Sequence, residues 1–299
     1  MMIHRDRHQF FRPYRSYAAL VRTFQPLLVG AYRLPVLLYH SICPNHSVEH
    51  ADHFNVRPET FEKQMVWLAE NGYVTATADA LLALMDNRES WLEKKTVMIT
   101  FDDGYASAFH YALPILSRHG FKATFFIASS LLDRQEAFPW IQSADTSALD
   151  DYRPMSSEQI IELAKTENIG IGSHTRSHQS LTSLSAEDAA NELRCGKSDL
   201  ESLLGITVDH FAYPYGSKHD FNASHMAMCR ETGFKTAFTT VPTSLRDLCP
   251  PYAIPRLTVY ERDDPETFGL KVTGLFDNYD LYRRLFLAPR RLLGRIVGS

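Results

Sequence analysis

The chain alternates short apolar runs with longer segments in which apolar residues recur at every third or fourth position. The runs are typical of buried strands, and the longer spacing is typical of helices that bury one face. Strands are predicted at 34–40, 73–77, 97–101, 123–128, from 169 onward, and at 208–213, 235–239 and 253–259. Helices are predicted at 57–72, 78–85, 107–119, from 156 onward, and at 184–204 and 221–232. Strands that alternate with helices predict an α/β fold built on a parallel sheet.

Length and composition narrow the class of protein. A chain of 299 residues suits one large α/β domain or two small ones, and 44% hydrophobic residues allow a sizeable core. The formal net charge of -4 argues against a general nucleic-acid binder. The four cysteines are scattered without C-x-x-C spacing, which favours reduced thiols over a disulfide framework or a cysteine zinc site.

Two adjacent carboxylates, Asp102 and Asp103, directly follow the apolar run 97–101. Ligands in α/β sheets bind beyond the carboxyl ends of the strands, so these side chains lie where such a fold performs chemistry. Because side chains alternate along a strand, one carboxylate can face a metal ion and the other the reacting water. A solvated turn would use the same residues, since Asp-Asp-Gly is common in turns.

A pair of histidines follows the strand that begins at 169. His174 and His178 are four residues apart, so on a helical turn both imidazoles would project to one side. Two histidines and one carboxylate form a three-ligand site for a divalent metal, with positions left open for water and substrate. The two motifs together, both at strand ends, predict a metal-dependent hydrolytic site.

The motifs at 100–105 and 173–178 resemble the first two motifs of the polysaccharide deacetylases, carbohydrate esterase family 4, whose catalytic unit is the NodB-homology domain. The segment 211–216, Phe-Ala-Tyr-Pro-Tyr-Gly, is similar to their third motif, which forms one wall of the site. The resemblance covers most of the chain, from Leu34 to Val259. It implies an irregular (β/α) barrel of the deformed TIM-barrel type.

The resemblance implies hydrolysis of an N-acetyl group on an amino sugar, so the expected partner is an N-acetylated saccharide. Asp103, His174 and His178 match the family's metal ligands, and Asp102 matches the general base. The backbone N–H of Tyr215 matches the oxyanion donor. A divalent ion lowers the pKa of the water that it binds and polarises the amide carbonyl. Zn²⁺ is the first choice for this ligand set, and Co²⁺, Ni²⁺, Mn²⁺ or Fe²⁺ could also occupy it.

The chain departs from the family pattern in three ways, one of which is that the acid–tryptophan element of the fourth motif is unclear. The arginine that usually opens the third motif and orients the base is replaced here by Ala212. The late Leu-x-His motif that usually supplies the general acid is absent near 256–260. In one subset of the family, the permuted exopolysaccharide deacetylases, the acid histidine lies at the end of the first strand. His40 matches this position. We therefore expect His40 to be the general acid and Arg256 to orient Asp102.

Two other functions stay open. The same metal-hydrolase scaffold could act on another amide, such as a formyl group or a non-sugar C–N bond. The second alternative is a non-catalytic saccharide-binding module. Such a module would be expected to lack a metal ligand or the base, whereas this chain has all three ligands and the base. The long loop 129–154 is expected to lie over the catalytic face, where Trp140 would either stack on a sugar ring or pack against the protein.

Three regions are predicted: an N-terminal arm at 1–33, a catalytic domain at 34–276 and a basic amphipathic tail at 277–299. The tail has no acidic residue after 280, so it would either contact an anionic membrane surface or dock on the domain. No secretory signal or membrane-spanning stretch is evident. We expect a cytoplasmic protein, peripheral at the inner membrane, whose substrate is a polymer or a lipid-linked or nucleotide-linked amino sugar.

Overall fold

The computed structural model describes residues 34–44, 54–86, 95–141, 149–245 and 249–274. The predicted N-terminal arm and the predicted basic tail lie outside these residues. The boundaries of the three regions and the cellular location therefore stay predictions. Within the described residues, no helix has the length and apolar character needed to cross a membrane.

One parallel sheet organises the described residues. Its strands are β1 (Val36–Tyr39), β2 (Val74–Ala76), β3 (Thr96–Phe101), β4 (Ala123–Ile127), β5 (Ile169–Ser173), β6 (His210–Ala212), β7 (Thr236–Phe238) and β8 (Leu257–Thr258). The strand order is β7-β6-β5-β4-β3-β1-β8, with β2 beside the first half of β3. Every strand pair is parallel, so the carboxyl ends of the strands meet at one edge. The predicted α/β class is confirmed.

Helices cover the sheet. They are α1 (Pro58–Glu70), α2 (Ala78–Asp86), α3 (Leu113–His119), α4 (Ser157–Lys165), α5 (Ala186–Leu204), α6 (Ala223–Glu231) and α7 (Pro265–Val272). A π-helical turn, Ala108–Ala112, leads into α3, so the helix predicted at 107–119 is confirmed with a wider first turn. Helix α7 was not predicted from the sequence, although it has a capping residue: Asp264 accepts a hydrogen bond from the Thr267 N–H.

The sheet curls because the segment before β8 changes partners. Ile254 forms a parallel bridge with Phe238 of β7, whereas Leu257 pairs with Leu37 of β1. This switch closes the curl and explains why the predicted strand at 253–259 is interrupted. It also brings Arg256, which lies between the two pairings, into the interior of the curl.

Alternate residues of the strands face two apolar layers. On β3, Ile99 and Phe101 pack under the helices, whereas Met98 faces the inside of the curl and joins a cluster with Phe126. The same alternation continues to the end of β3 and past it, where Thr100 and then Asp102 face inward. A polar site thus sits on top of an apolar inner layer.

Gly196 of α5 supports the loop that follows β5. A Cβ added at Gly196 would lie 2.6 Å from the backbone carbon of Thr175, which is closer than real Cβ contacts. We predict that Gly196→Ala lowers the free energy of unfolding by about 1–3 kcal/mol through overpacking, although alanine normally stabilises a helix relative to glycine. Denaturant unfolding measures the change.

The matched control is Ser198→Ala, on the exposed face of the same helix. It should leave the free energy of unfolding within about 0.5 kcal/mol of the wild-type value. A stabilising effect of Gly196→Ala would mean that the helix and the loop are not in close contact.

Candidate active site and metal centre

Asp102 follows β3 and is held by Arg256 from across the curl. Arg256 Nη1 and Nη2 donate hydrogen bonds to the two carboxylate oxygens of Asp102, each at 2.6 Å, and Nε donates to the Thr239 carbonyl at 2.9 Å. The Arg256 and Asp102 side chains are 0% and 2% exposed. Burial raises the pKa of Asp102, but the charge and hydrogen bonds of Arg256, together with the charges of the histidines of the site, outweigh this effect and hold the pKa below its ordinary value. Asp102 is therefore an ionised carboxylate in one fixed orientation.

Asp103, His174 and His178 converge on one point. One potential ligand atom from each lies within 4.8 Å of the others. Asp103 Oδ1 lies 3.3 Å from His174 Nε2 and 3.2 Å from His178 Nε2. This oxygen is buried and has no hydrogen-bond partner within the described residues. A buried carboxylate without a donor is costly, so the arrangement fits a cation between the three side chains. Two imidazoles and one carboxylate are a common ligand set for zinc and similar divalent ions.

His174 is oriented by its backbone neighbours. Its N–H donates to the Ile127 carbonyl of β4 at 2.8 Å, and its Nδ1–H donates to the Ala212 carbonyl at 2.7 Å. The second bond fixes the tautomer, so Nε2 presents a lone pair toward Asp103. Burial lowers the pKa of His174, but Asp102 and Asp103 raise it, and the net shift is upward. The centre therefore attracts positive charge, which a metal ion can supply.

His178 does not share a helical turn with His174. Residues 174–180 form a loop in which Thr175 has a φ of 64° and His178 a φ of 61°. The His178 N–H donates to Thr175 Oγ1 at 3.0 Å, which closes the loop. The two imidazoles meet because the backbone takes left-handed turns, and not because of a helical spacing of four.

Glu192 of α5 fastens this loop from outside. Its carboxylate accepts hydrogen bonds from the backbone N–H groups of Arg176 and Ser177, at 3.0 and 2.8 Å, and from Ser177 Oγ at 2.8 Å. Glu192 is not predicted from the sequence, because an acidic residue on a helix carries no signal of a distant loop. A polar partner for two consecutive loop N–H groups is the kind of contact that only the folded chain reveals.

Tyr215 lies in the turn after β6 with a φ of 60°. Thr240 holds the turn in place, because its Oγ1 donates to the Tyr215 carbonyl at 2.6 Å and its N–H donates to the Gly216 carbonyl at 2.8 Å. The backbone N–H of Tyr215 has no acceptor in the part of the chain that the structure describes. It is thus available to a ligand.

Left-handed backbone at Asp103, Thr175, His178 and Tyr215 places strain at the centre, on the order of 1–3 kcal/mol for each residue.

His40 follows β1 and lines the same cleft as both aspartates. Its ring lies 4.8 Å from the Phe54 ring, and its Nδ1 is buried with no hydrogen-bond partner among the described residues. Burial lowers the pKa of His40, although Asp103 and Asp102 raise it in part. The structure therefore brings all seven predicted site residues to one edge of the sheet.

The cleft has a volume of about 740 Å³ and aromatic walls. Trp140 and Tyr215 have ring centroids 4.3 and 5.2 Å from that of His178. Trp140 also packs on Phe138 and donates a hydrogen bond from Nε1 to Tyr105 Oη at 3.0 Å. Trp140 therefore packs against the protein and also lines the cleft, and its stacking on a sugar ring stays a prediction.

The family model described as polysaccharide deacetylase matches residues 90–237. The chain is 27% identical over 260 residues to the Bacillus subtilis protein "Putative polysaccharide deacetylase YxkH", which covers 86% of this chain and 81% of that protein. It is 30% identical to the poly-beta-1,6-N-acetyl-D-glucosamine N-deacetylase of Escherichia coli, over 40% of this chain but only 18% of that protein.

The fold is similar to that of a Streptococcus pyogenes deacetylase, PplD, whose structure contains acetate. The TM-score is 0.67, with 21% identity, and the match covers 81% of this chain and 99% of that chain. Such neighbours have the deformed TIM-barrel fold, so the irregular barrel predicted from the motifs is confirmed. Neither these comparisons nor the described residues support the membrane contact predicted for the tail.

We predict that the three converging side chains are needed for metal affinity. After treatment with a chelator, the wild-type protein should bind Co²⁺ in a spectroscopic titration. His174→Ala and His178→Ala should each weaken binding by more than the 10–100-fold typical of losing a supporting hydrogen bond, because each removes a ligand. His219→Ala, at an exposed histidine, is the control and should bind like wild type. Equal affinity in all the variants would exclude this centre as the metal site.

We also predict that Arg256→Gln lowers the free energy of unfolding by about 3–5 kcal/mol, because it leaves Asp102 buried without its cation. The control is Arg57→Gln, which breaks the exposed ion pair with Glu261 and should cost less than about 1 kcal/mol. Adding Asp102→Asn to Arg256→Gln should restore part of the loss, as measured by denaturant unfolding. Additive effects of the two substitutions would contradict the coupling.

Proposed function

This chain belongs to the polysaccharide deacetylase family, with a NodB-homology (carbohydrate esterase family 4) domain, and on that premise we propose that it removes N-acetyl groups from an amino-sugar-containing saccharide. The family relationship makes it a hydrolase of carbon–nitrogen bonds. The observation that carries the proposal is one cleft that holds an ionised carboxylate, a three-ligand centre and a histidine whose Nδ1 has no hydrogen-bond partner among the described residues.

Asp102 is the proposed general base. Its carboxylate takes a proton from the water whose oxygen attacks the acetyl carbonyl carbon. The bidentate contact with Arg256 supports this role, since it keeps Asp102 ionised and directed into the cleft. Arg256 would then do the work of the arginine that the family usually has at the position of Ala212.

Asp103, His174 and His178 are the proposed ligands of a divalent ion, on which this family depends. When bound, the ion supplies Lewis acidity that polarises the acetyl carbonyl and favours ionisation of water. Zinc is our first choice because neutral imidazole and carboxylate suit it, although cobalt, nickel, manganese and iron have related preferences.

His40 and Tyr215 complete the proposed reaction. As the carbon–nitrogen bond breaks, the nitrogen of the sugar receives a proton from His40, so the products are acetate and a free amine. The free backbone N–H of Tyr215 would stabilise the negative charge that develops on the acetyl oxygen. The missing late Leu-x-His motif supports His40 as the acid, since it is the one histidine besides His174 and His178 that lines the cleft among the residues that the structure describes.

The proposed substrate is an oligomer or polymer that contains N-acetylglucosamine. The name of the Escherichia coli relative points to such a polymer, although this chain covers only a small part of that protein. An open cleft with Phe54, Trp140, Tyr215 and Tyr260 on its walls also suits sugar rings, because aromatic faces pack against their apolar faces.

We predict that metal-loaded protein releases acetate from N-acetylglucosamine oligomers and that Asp102→Asn and His40→Ala each lower kcat by roughly 10²–10⁴-fold, the usual contribution of a general base or acid. In His40→Ala, the fall in kcat/KM as the pH rises through the pKa of His40, which burial holds below the ordinary histidine value, should also disappear, because the group that loses its proton there is gone. A coupled acetate assay measures both effects.

The control is His219→Ala, which should keep wild-type kcat. Formylated sugars and non-sugar amides belong in the same assay. Release of formate alone, or of acetate by Asp102→Asn at the wild-type rate, would refute the proposed reaction. Persistence of that fall in His40→Ala would assign the general acid to another group.

A further inference from the structure

Arg262 lines the cleft as a cation without an anionic partner. It follows Tyr260 closely in the chain, and its guanidinium carbon lies 4.6 Å from the centre of the Tyr260 ring. Within the residues described, its side chain forms no hydrogen bond and no ion pair. Guanidinium groups in clefts normally bind carboxylates or phosphates, because their N–H groups match two oxygens at once.

The carboxylates beside this arginine all have other partners. Glu261 accepts hydrogen bonds from the backbone N–H of Arg57, at 2.8 Å, and from its Nε, at 2.6 Å. Asp263 accepts from Lys271, and Asp264 caps helix α7. The three nearest acids in the chain are thus committed to the fold. The charge of the arginine is left to face the cleft.

Lys271 adds a second positive charge at this end of the cleft. The side chain is 3% exposed, and its Nζ lies 4.7 Å from the centre of the Tyr260 ring. Burial lowers the pKa of Lys271 and nearby Arg262 lowers it further, while Asp263 raises it. Lys271 Nζ donates hydrogen bonds to the Asp263 carboxylate and to the Thr258 carbonyl, so this carboxylate already has a cationic partner. The carboxylate of Asp220 also lines the cleft, but it accepts hydrogen bonds from the N–H and Oγ of Ser217.

A line of rings connects the reaction centre to this charge. The His40 ring lies 4.8 Å from the Phe54 ring, and the Phe54 ring lies 6.5 Å from the Tyr260 ring and nearly parallel to it, at 30°. Phe54 is 45% exposed, although a large apolar ring is usually buried. A sugar unit next to the one that carries the acetyl group can pack on these rings, with a substituent at Arg262.

We propose that Arg262 binds an oxyanion, carboxylate or phosphate, on the saccharide unit that lies over Phe54 and Tyr260. The inference rests on the proposed deacetylase function and refines its substrate to an acidic saccharide. The guanidinium stacks on Tyr260 and keeps its N–H edge for the anion, a geometry that lysine cannot reproduce. The anion also relieves the repulsion between the two neighbouring cations.

The first test compares acetate release from three oligosaccharides: a neutral N-acetylglucosamine tetramer, the same length with one glucuronic acid, and the tetramer with one phosphate monoester. Wild type should show a higher kcat/KM for one or both charged forms, through a lower KM, and the advantage should shrink as salt is added. Arg262→Gln should reduce the ratio of charged to neutral kcat/KM by about tenfold, the loss of a charge-assisted hydrogen bond. Arg262→Lys should restore only part of it.

The control is Arg230→Gln, which removes the same charge from an exposed position on α6 and should leave the ratio at its wild-type value. The charged form that loses its advantage in Arg262→Gln identifies the oxyanion as carboxylate or phosphate. An unchanged ratio in Arg262→Gln, with acetate still released, would overturn the inference and leave the deacetylase function intact.

A second test does not depend on turnover. Calorimetry with a glucuronic-acid disaccharide and with a sugar phosphate, neither carrying an acetyl group, measures binding directly. Arg262→Gln should weaken binding of one of them by about tenfold relative to Arg230→Gln. Such a loss, in a protein that releases no acetate from any substrate, would support the anion site and refute the proposed reaction. Equal binding by the two variants would refute the anion site.

Discussion

The buried pair of Asp102 and Arg256 is the interaction on which the rest of the site depends. Burying an unpaired carboxylate costs several kcal/mol, and this cost is offset only if a cation with good geometry is buried with it. Arg256 meets the requirement through two hydrogen bonds to Asp102 and one to Thr239, while its guanidinium lies 5.5 Å from the centre of the Phe126 ring. The arginine arrives from the segment between β7 and β8, so the closure of the sheet and the ionisation of Asp102 are linked.

The two adjacent aspartates have different roles because the backbone separates them. Asp102 keeps the strand alternation and faces inward, whereas Asp103 adopts a φ of 73° and faces the two histidines. The left-handed conformations at the site are tolerated because rigid elements surround it. Helix α5 holds the histidine loop through Glu192 and through the close approach of Gly196. Loops thus carry the ligands, and helices and strands keep the loops in position.

The cleft divides into a reaction centre and a recognition region. The aspartates and histidines lie at the strand ends, where each is fixed by several contacts. Phe54, Tyr260 and Arg262 lie farther along the wall, and under our proposal they distinguish substrates without disturbing the chemistry. One catalytic centre can act on different saccharides when separate residues along the cleft recognise them.

The sequence by itself determined the class of fold and the chemical nature of the site. Strand periodicity, two aspartates after β3 and two histidines after β5 place ligand side chains at the same edge of any parallel sheet, since these signals are local. The sequence also indicated His40 and Arg256, because the late Leu-x-His motif and the arginine of the third motif are absent from this chain and their roles need other residues. Only the tertiary structure decided that Arg256 lies against Asp102 and that a left-handed loop and Glu192 align His178. It also decided that Arg262 has no anionic partner among the described residues. Those contacts join residues distant in the chain, and they depend on how the sheet closes, which no local pattern encodes.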